Sequence, residues 1–369
     1  MRSSELLFTP GPLNTCQEVR DAMQVDYGSR GQQFVSISQR VRRRLGTIAG
    51  IDGTFEVVPI QGSGTFALEA MLGSLVGFND KALVLSNGAY GDRIASIGTK
   101  LGLAMLVERF DETTCVSPAV LSQRLAADHD ITHICVVHCE TTTGIMNPLR
   151  EIADVARTMN RALLVDAIAS FGGVELSASE LSVTAMAGSS NKCLEGVPGL
   201  AFVVVKRDAL HRLGGNPHSV CLDLQDQLRQ FDASGQWRFT PPTHSIVALD
   251  AALDRLEAEG GVTKRSQRHR RIRDLIIQGF SDLGYKLLIS VDALGTTIVT
   301  FRVPAWEGFD VNSFFSYLSS RGVALYPGKI SAADTFRVGC IGMLSENDVD
   351  RMLEAVRQYT GSVRDGICK

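Results

Sequence analysis

The sequence predicts an α/β protein: a mostly parallel sheet covered by helices in a large domain, followed by a smaller C-terminal α+β domain. Three observations carry this. From residue 64 to about 205, short runs that are apolar at consecutive positions alternate with segments of helical period, the pattern of strands covered on both faces. Polar, glycine-bearing motifs follow several of those runs, where the carboxyl ends of parallel strands present ligand sites. A chain of 369 residues is long for one core and usually divides into two.

Taken in order, "GTFALEAMLGSLVG" reads as a helix, "KALVLSN" as a strand, "SPAVLSQRLAAD" as a helix and "HICVVH" as a strand. "REIADVARTMN" (helix), "ALLVD" (strand) and "LAFVVV" (strand) complete the layer. "IVALDAALDRLEAEGG" is a helix closed by glycines, and a long basic helix follows it. Beyond lie "TTIVTFRV" (strand), "DVNSFFSYLSSRG" (helix), "VALYPG" and "TFRVGCIG" (strands) and "SENDVDRMLEAVRQY", a helix with a capping box from Ser345 to Asp348. The boundary therefore falls near residue 260, giving a large domain over 1–260 and a small one over 261–369.

Composition narrows the function. A formal charge of −3 is too near neutral for a polyanion-binding protein. The basic runs "QRVRRRL" (39–45) and "KRSQRHRRIR" (264–273) lack aromatic residues for base stacking and read as solvated helix faces. No signal-like segment or membrane-length apolar run is present, so a cytoplasmic protein is expected. Eight scattered cysteines then read as reduced thiols. "CVVHC" looks metal-like, but alternation along a strand points His138 away from Cys135 and Cys139, so no metal site is expected.

Three motifs carry chemistry. "QGSGTFALEA" (61–70) runs a Gly-Ser-Gly-Thr turn straight into a helix, offering backbone N–H groups, hydroxyls and the positive end of the helix dipole to a phosphate. It lacks the Walker lysine and the dinucleotide spacing, and is equally compatible with an ordinary N-cap. Asp166 ends an apolar strand, where a carboxylate needs a cationic or hydrogen-bonding partner unless it merely caps a turn. Lys192, in "SSNKCLEGVPG", is alone indistinguishable from a surface lysine; held in a buried site its pKa falls and it becomes an amine nucleophile. Phosphate cradle, carboxylate and lysine in this order are the parts of a pyridoxal phosphate site.

The sequence resembles the class V (fold type I) aminotransferases, through "LLFTPGPLNT", "QGSGTFALEAMLGS", "LSNGAYG", "HCETTTGIMNPL", "VDAIASFGG", "SSNKCLEGVPGLAFV", "WRFTPPTH" and "YPGKISAADTFRVGCIG". Within that family it is similar to the branch that transfers the amino group of 2-aminoethylphosphonate to pyruvate. The resemblance implies that Lys192 forms a Schiff base with pyridoxal 5'-phosphate and that Asp166 pairs with the pyridine nitrogen. Ser63, Gly64 and Thr65 would hold the cofactor phosphate, Tyr90 would lie against the ring, and Thr141 would bond near the ring oxygen. It places the N-terminal segment 1–30 near the active site. Thr240 would reach a neighbouring subunit's phosphate, implying a homodimer with shared sites.

Arg337 would clamp the acid group of the amino donor and then of the 2-oxo acid; its paired N–H donors suit phosphonate or carboxylate, although a strand-surface arginine looks the same in sequence. Arg30, in "YGSRGQQF", is either a second anion contact or structural, and this segment is nearer to that of the alanine–glyoxylate and serine–pyruvate relatives. Those activities are the alternative reading. A cysteine desulfurase-type lyase ranks lower, because Cys340 sits in a strand-like stretch rather than on a mobile loop. Only small-molecule substrates are implied, with neither nucleic acid nor membrane as partner.

Overall fold

The computed structural model describes residues 5–330 and 333–366; Ser331 and Ala332 of the last quoted motif, and both chain ends, lie outside the described residues. The central sheet has seven strands, β1 (Phe55–Gln61), β2 (Lys81–Ser86), β3 (Ala104–Arg109), β4 (Ile131–Val137), β5 (Ala162–Asp166), β6 (Ala185–Ser189) and β7 (Leu200–Lys206), in the order β1-β7-β6-β5-β4-β2-β3. Only β7 runs antiparallel, to both β1 and β6. The carboxyl ends of the other six therefore point to one edge.

Consecutive apolar residues serve opposite faces. Ile134, Val136, Leu163 and Val165 pack into one cluster with Phe34, Val41 and Ile152. Cys135, Val137, Leu164 and Val203 pack into another with Leu68 and Met71. The layers contributing to these are α1 (Gln32–Ile48) and α5 (Leu149–Thr158) on one side, and α2 (Gly64–Leu75) on the other, with α4 (Pro118–Ala127) beside α5. Four elements of the layer, β1, α3 (Ala89–Lys100), β3 and β6, are not named from the sequence. β3 is the sheet edge and none of its residues is buried, so no apolar run marks it.

After the paired helices α6 (Thr243–Glu259) and α7 (Gly261–Asp282), separated by Gly260 in the left-handed conformation, comes a three-stranded sheet of β8 (Ile298–Arg302), β9 (Tyr326–Pro327) and β10 (Thr335–Gly339). Helices α8 (Val311–Ser320) and α9 (Glu346–Arg364) cover it, and α9 opens with the Ser345–Asp348 capping box. Phe280, Phe301, Phe314 and Phe336 fill a separate core there, with Phe280 stacked on Phe301 at 4.6 Å. Leu6 and Phe8 join that core too, because Leu6–Leu7 pairs in parallel with Val323–Ala324. "VALYPG" is therefore not one strand: its first half pairs with the N-terminal segment and its second half, β9, with β10.

The reading of the basic runs as solvated faces is corrected in part, since Arg43, Lys264, Arg270 and Arg271 are exposed but other cations of the same runs are not. In α7, Arg265, His269 and Arg273 are buried, because carboxylates and carbonyls of neighbouring loops reach them. In α1, Arg40 and Arg44 pair with Asp250 of α6, and Arg42 lies over the Phe231 ring at 4.2 Å. A run of cations looks the same in sequence whether water or carboxylates face it.

Candidate active site

Five of the chain's polar motifs leave the sheet at its common edge. The turn 62–65 follows β1, Asn87–Gly91 follows β2, His138–Gly144 follows β4, Asp166 ends β5, and Lys192 comes shortly after β6. The strands β6, β5, β4 and β2 are neighbours, and the chain order reverses beside β2, so the loops flank a natural crevice. A cavity of about 180 Å³ occupies it, lined by Ser63, Gly64, Thr65, Tyr90, Arg93, Thr141, Asp166, Ser189, Asn191 and Lys192 among others.

At one end, Ser63 precedes α2 without using its side chain to cap the helix. The hydroxyl and the first N–H groups of α2 thus remain available to an anion. Arg93 adds charge there: its Nη1 donates to Thr65 Oγ1 at 3.4 Å, and its guanidinium lies 4.7 Å from the Tyr90 ring centre. Arg93 went unnoticed in the sequence, although it follows Tyr90 by one helical turn and so shares its face.

At the floor, Asp166 is 4% exposed. Burial pushes its carboxyl up to about 7; the Ile168 N–H, donating to Oδ1 at 2.9 Å, and the charges of Arg93 and Lys192 oppose this only in part. No ion pair to Asp166 forms among the described residues. A buried acid with one hydrogen bond and room beside it suits a cationic N–H supplied by a ligand.

Lys192 faces the same space. Burial lowers its pKa, and the positive charge of Arg337 acts in the same direction. Its Nζ donates to the carbonyl oxygen of Pro10. The next residue, Gly11, has φ +122°, and a Cβ on it would fall 2.5 Å from that Nζ. The positive φ and this close approach to the lysine both favour a residue without a side chain at position 11.

Tyr90 and Thr141 meet across the cavity. Burial alone would raise the Tyr90 hydroxyl, but a hydrogen bond with Thr141 and the charges of Lys192, Lys329 and Arg337 hold it below its usual value. Glu140, buried and unremarked in sequence, fixes both loops: Oε2 accepts from the Tyr90 N–H at 3.2 Å, and Oε1 from the Thr142 N–H at 3.1 Å and hydroxyl at 2.8 Å. Its position directly before Thr141 was the available signal. Arg337, on β10, donates through Nε to Pro327 O at 3.0 Å and through Nη1 to Thr141 O at 3.1 Å. It is 2% exposed and bonds to Tyr90 and to the Thr141 carbonyl, two residues that line the cavity, rather than lying on a strand surface.

Two expected site residues are elsewhere. Thr240 and Arg30 line a separate surface pocket of about 260 Å³ with Trp237 and Arg238. Cys340 follows β10 directly, is fully buried, and has its thiol pushed far up by burial, the opposite of a reactive loop cysteine. Among the described residues no group of three His, Cys, Asp or Glu could hold a metal ion, and no helix is long and apolar enough to cross a membrane. His138 is occupied by Ser170, whose Oγ is 2.9 Å from Nδ1.

Residues 7–352 match the family model described as aminotransferase class-V. A protein of Burkholderia lata named 2-aminoethylphosphonate–pyruvate transaminase 2 is 44% identical over 356 residues, covering 96% of this chain and 95% of that protein. One of Polaromonas sp. named 2-aminoethylphosphonate–pyruvate transaminase 1 is 42% identical over 360 residues, covering 97% and 96%. Among solved structures, an alanine–glyoxylate aminotransferase from Nostoc sp. superimposes with TM-score 0.89 at 24% identity, covering 97% of this chain and 96% of that one, a likeness of fold. By a family match spanning most of its length and relatives that align nearly end to end, this chain belongs to the class V aminotransferases.

Proposed function

We propose that the protein is a cytoplasmic pyridoxal 5'-phosphate-dependent transaminase that moves the amino group of 2-aminoethylphosphonate to pyruvate, giving phosphonoacetaldehyde and L-alanine. The observation that carries the reading is the meeting in one cavity of Lys192, Asp166 and the turn at Ser63–Thr65, with Arg337 at its side. The two relatives' names support the choice of substrate. Seven unpaired cysteines among the described residues suit a reducing compartment.

The residues fit the cofactor. Ser63, Gly64, Thr65 and the start of α2 would hold its phosphate, joined by Arg93. Asp166 would give up its proton and pair with the ring nitrogen, relieving a carboxylate that burial otherwise disfavours. Tyr90 would cover the ring and Thr141 would donate near its oxygen. When bound, pyridoxal phosphate supplies an electron sink for the carbon next to the amine.

The remaining work belongs to the chain. Lys192 Nζ, shifted towards its neutral form by burial, would hold the cofactor and, when free, would take a proton from the amine-bearing carbon. Arg337 binds the donor's phosphonate and then the carboxylate of pyruvate, so one guanidinium serves both half-reactions. Thr240, and Arg30 as a second anion contact, would act on the site of a partner subunit in a homodimer. Phe66 and Phe239, 50% and 52% exposed, border the adjoining surface and would be covered there.

The test mixes the purified holoprotein with 2-aminoethylphosphonate, L-alanine, L-serine or L-cysteine separately and follows the cofactor's visible absorbance. Rapid loss with the phosphonate and alanine is expected. Bleaching by serine or alanine alone would refute the phosphonate assignment, and sulfide released from cysteine would identify a lyase.

A further inference from the structure

Glu195, in the motif "NKCLEGVPG", holds φ at +60° although it is not glycine. A left-handed backbone is unfavourable for a non-glycine residue and persists when its surroundings impose it. Here the side chain supplies the constraint. Glu195 Oε1 accepts from Arg268 Nη2 at 2.7 Å, His269 Nε2 at 3.0 Å and the Gly342 N–H at 3.2 Å. Oε2 lies 3.6 Å from Arg265 Nη1.

The centre of the cluster is buried, with side-chain exposure of 5% for Glu195, 1% for Arg265 and 0% for His269, while Arg268 and Glu259 at its rim are 27% and 21% exposed. Glu259, the last residue of α6, completes it by accepting from Arg265 Nε at 2.6 Å and Arg268 Nε at 2.7 Å. Burial keeps His269 neutral by lowering its pKa, so two carboxylates face two guanidiniums and the charge closes. A buried ionic set of this kind gains little stability over apolar side chains of the same volume. What it offers is direction, because each bond has one geometry.

Its bonds lead to both halves of the candidate site. The Glu195 N–H donates to Lys192 O at 2.9 Å, and Arg265 Nη1 donates to Cys193 O at 2.8 Å. The carbonyls of the lysine and its neighbour are thus both held. Gly342 lies in the turn after β10, which carries Arg337; its N–H binds Glu195 and its carbonyl accepts from Arg268 Nη1 at 2.7 Å. The loop that follows Asp166 closes on the same place, for a Cβ at Gly173 would sit 2.5 Å from Cys193 Sγ.

We propose that Glu195, gripped by Arg268 and His269, is a positioning residue that fixes the Lys192 loop against the Arg337 strand end, so that the amine nucleophile and the anion-binding arginine keep one relative placement. The proposal rests on the reading of Lys192 as the cofactor lysine. It adds that the basic face of α7 is part of the site's framework.

The test compares holoenzymes of wild type, Glu195→Ala, Glu195→Gln, Arg268→Met and Arg271→Ala at matched cofactor occupancy, below the lowest melting temperature. Arg271 pairs with Glu346 on the exposed side of α7 and serves as control. Visible circular dichroism of the bound cofactor reports how it is held, and kcat and KM are read for both substrates. Glu195→Ala and Arg268→Met should lose roughly half or more of the dichroic amplitude and about tenfold or more in kcat, since small misplacements of reacting groups carry large rate penalties. Glu195→Gln, which keeps an acceptor for His269 and Gly342, should recover part of both, and Arg271→Ala should match wild type. Should Glu195→Ala not fold, Glu195→Gln and Arg268→Met decide. Variants with lowered melting temperature but wild-type dichroism and kcat would overturn the proposal. A Lys192→Ala holoprotein with unchanged absorbance and turnover would overturn the cofactor reading, and the proposal with it.

Discussion

Lys192 and Pro10 stand far apart in the sequence, yet the lysine's Nζ donates to the proline's carbonyl oxygen. The N-terminal segment, pinned to the C-terminal core by Leu6 and Phe8, thereby enters the site. Gly11 makes the approach possible, so Gly11→Ala should push the segment off the lysine and strain a left-handed φ, costing more than about 1 kcal/mol. Thermal melting should register that cost, and turnover should fall about tenfold or more. An alanine variant with wild-type kcat would show that the contact is incidental.

Asp166 gives a pH signature. Its folded pKa, about 7, lies above the ordinary 3.8, so between those values the unfolded chain ionises more readily and stability falls as pH rises. In protein stripped of cofactor the loss across that window should approach roughly 4 kcal/mol, each pH unit being worth about 1.36 kcal/mol. Melting curves should show it in the cofactor-free wild type, and it should vanish in Asp166→Asn. Cofactor binding should restore stability to the wild type more than to the variant.

Glu195 has the opposite sign. Burial alone would raise its carboxyl, but His269, Arg265 and Arg268 bring it down to about 2 from 4.5. Its stabilisation is present above the ordinary value of 4.5 and is lost as pH falls towards 2, an amount on the order of 3 kcal/mol. Acid unfolding should therefore be steeper over that range in wild type than in Glu195→Gln. Parallel acid limbs for the two proteins would contradict the ion cluster.

Arg337 already spends two donors on Pro327 and Thr141, which aims the rest of the guanidinium. Arg337→Lys keeps the charge but cannot keep this geometry. KM should rise about 10- to 100-fold for both 2-aminoethylphosphonate and pyruvate, the equivalent of losing a charge-assisted hydrogen bond or two. A rise for one substrate only would argue against a shared anion contact.

The parts of the fold that depend on burial were legible. Strands β2, β4 and β5 announce themselves because both faces are covered, and Asp166 could be placed at a strand end from the apolar run before it; Lys192 follows β6, whose small residues Ala185–Ser189 make no such run. Strand direction was not, since the apolar run of β7 reads the same forwards or reversed. Nor were the partners of inward-facing cations: the buried Arg265 and the partly buried Arg93 resemble surface arginines until Glu259, Cys193 and Tyr90 are placed around them. Thr240 and Arg30 form their own pocket in the single chain, and the roles proposed for them involve a second one.

The most direct test of the account asks where the cofactor is attached. The holoprotein is reduced with borohydride, which makes the covalent link permanent, then digested and mapped by mass spectrometry. Modification of Lys192 alone, lost in Lys192→Ala, is the predicted result. Cofactor on a different lysine such as Lys329, or on none, would contradict it.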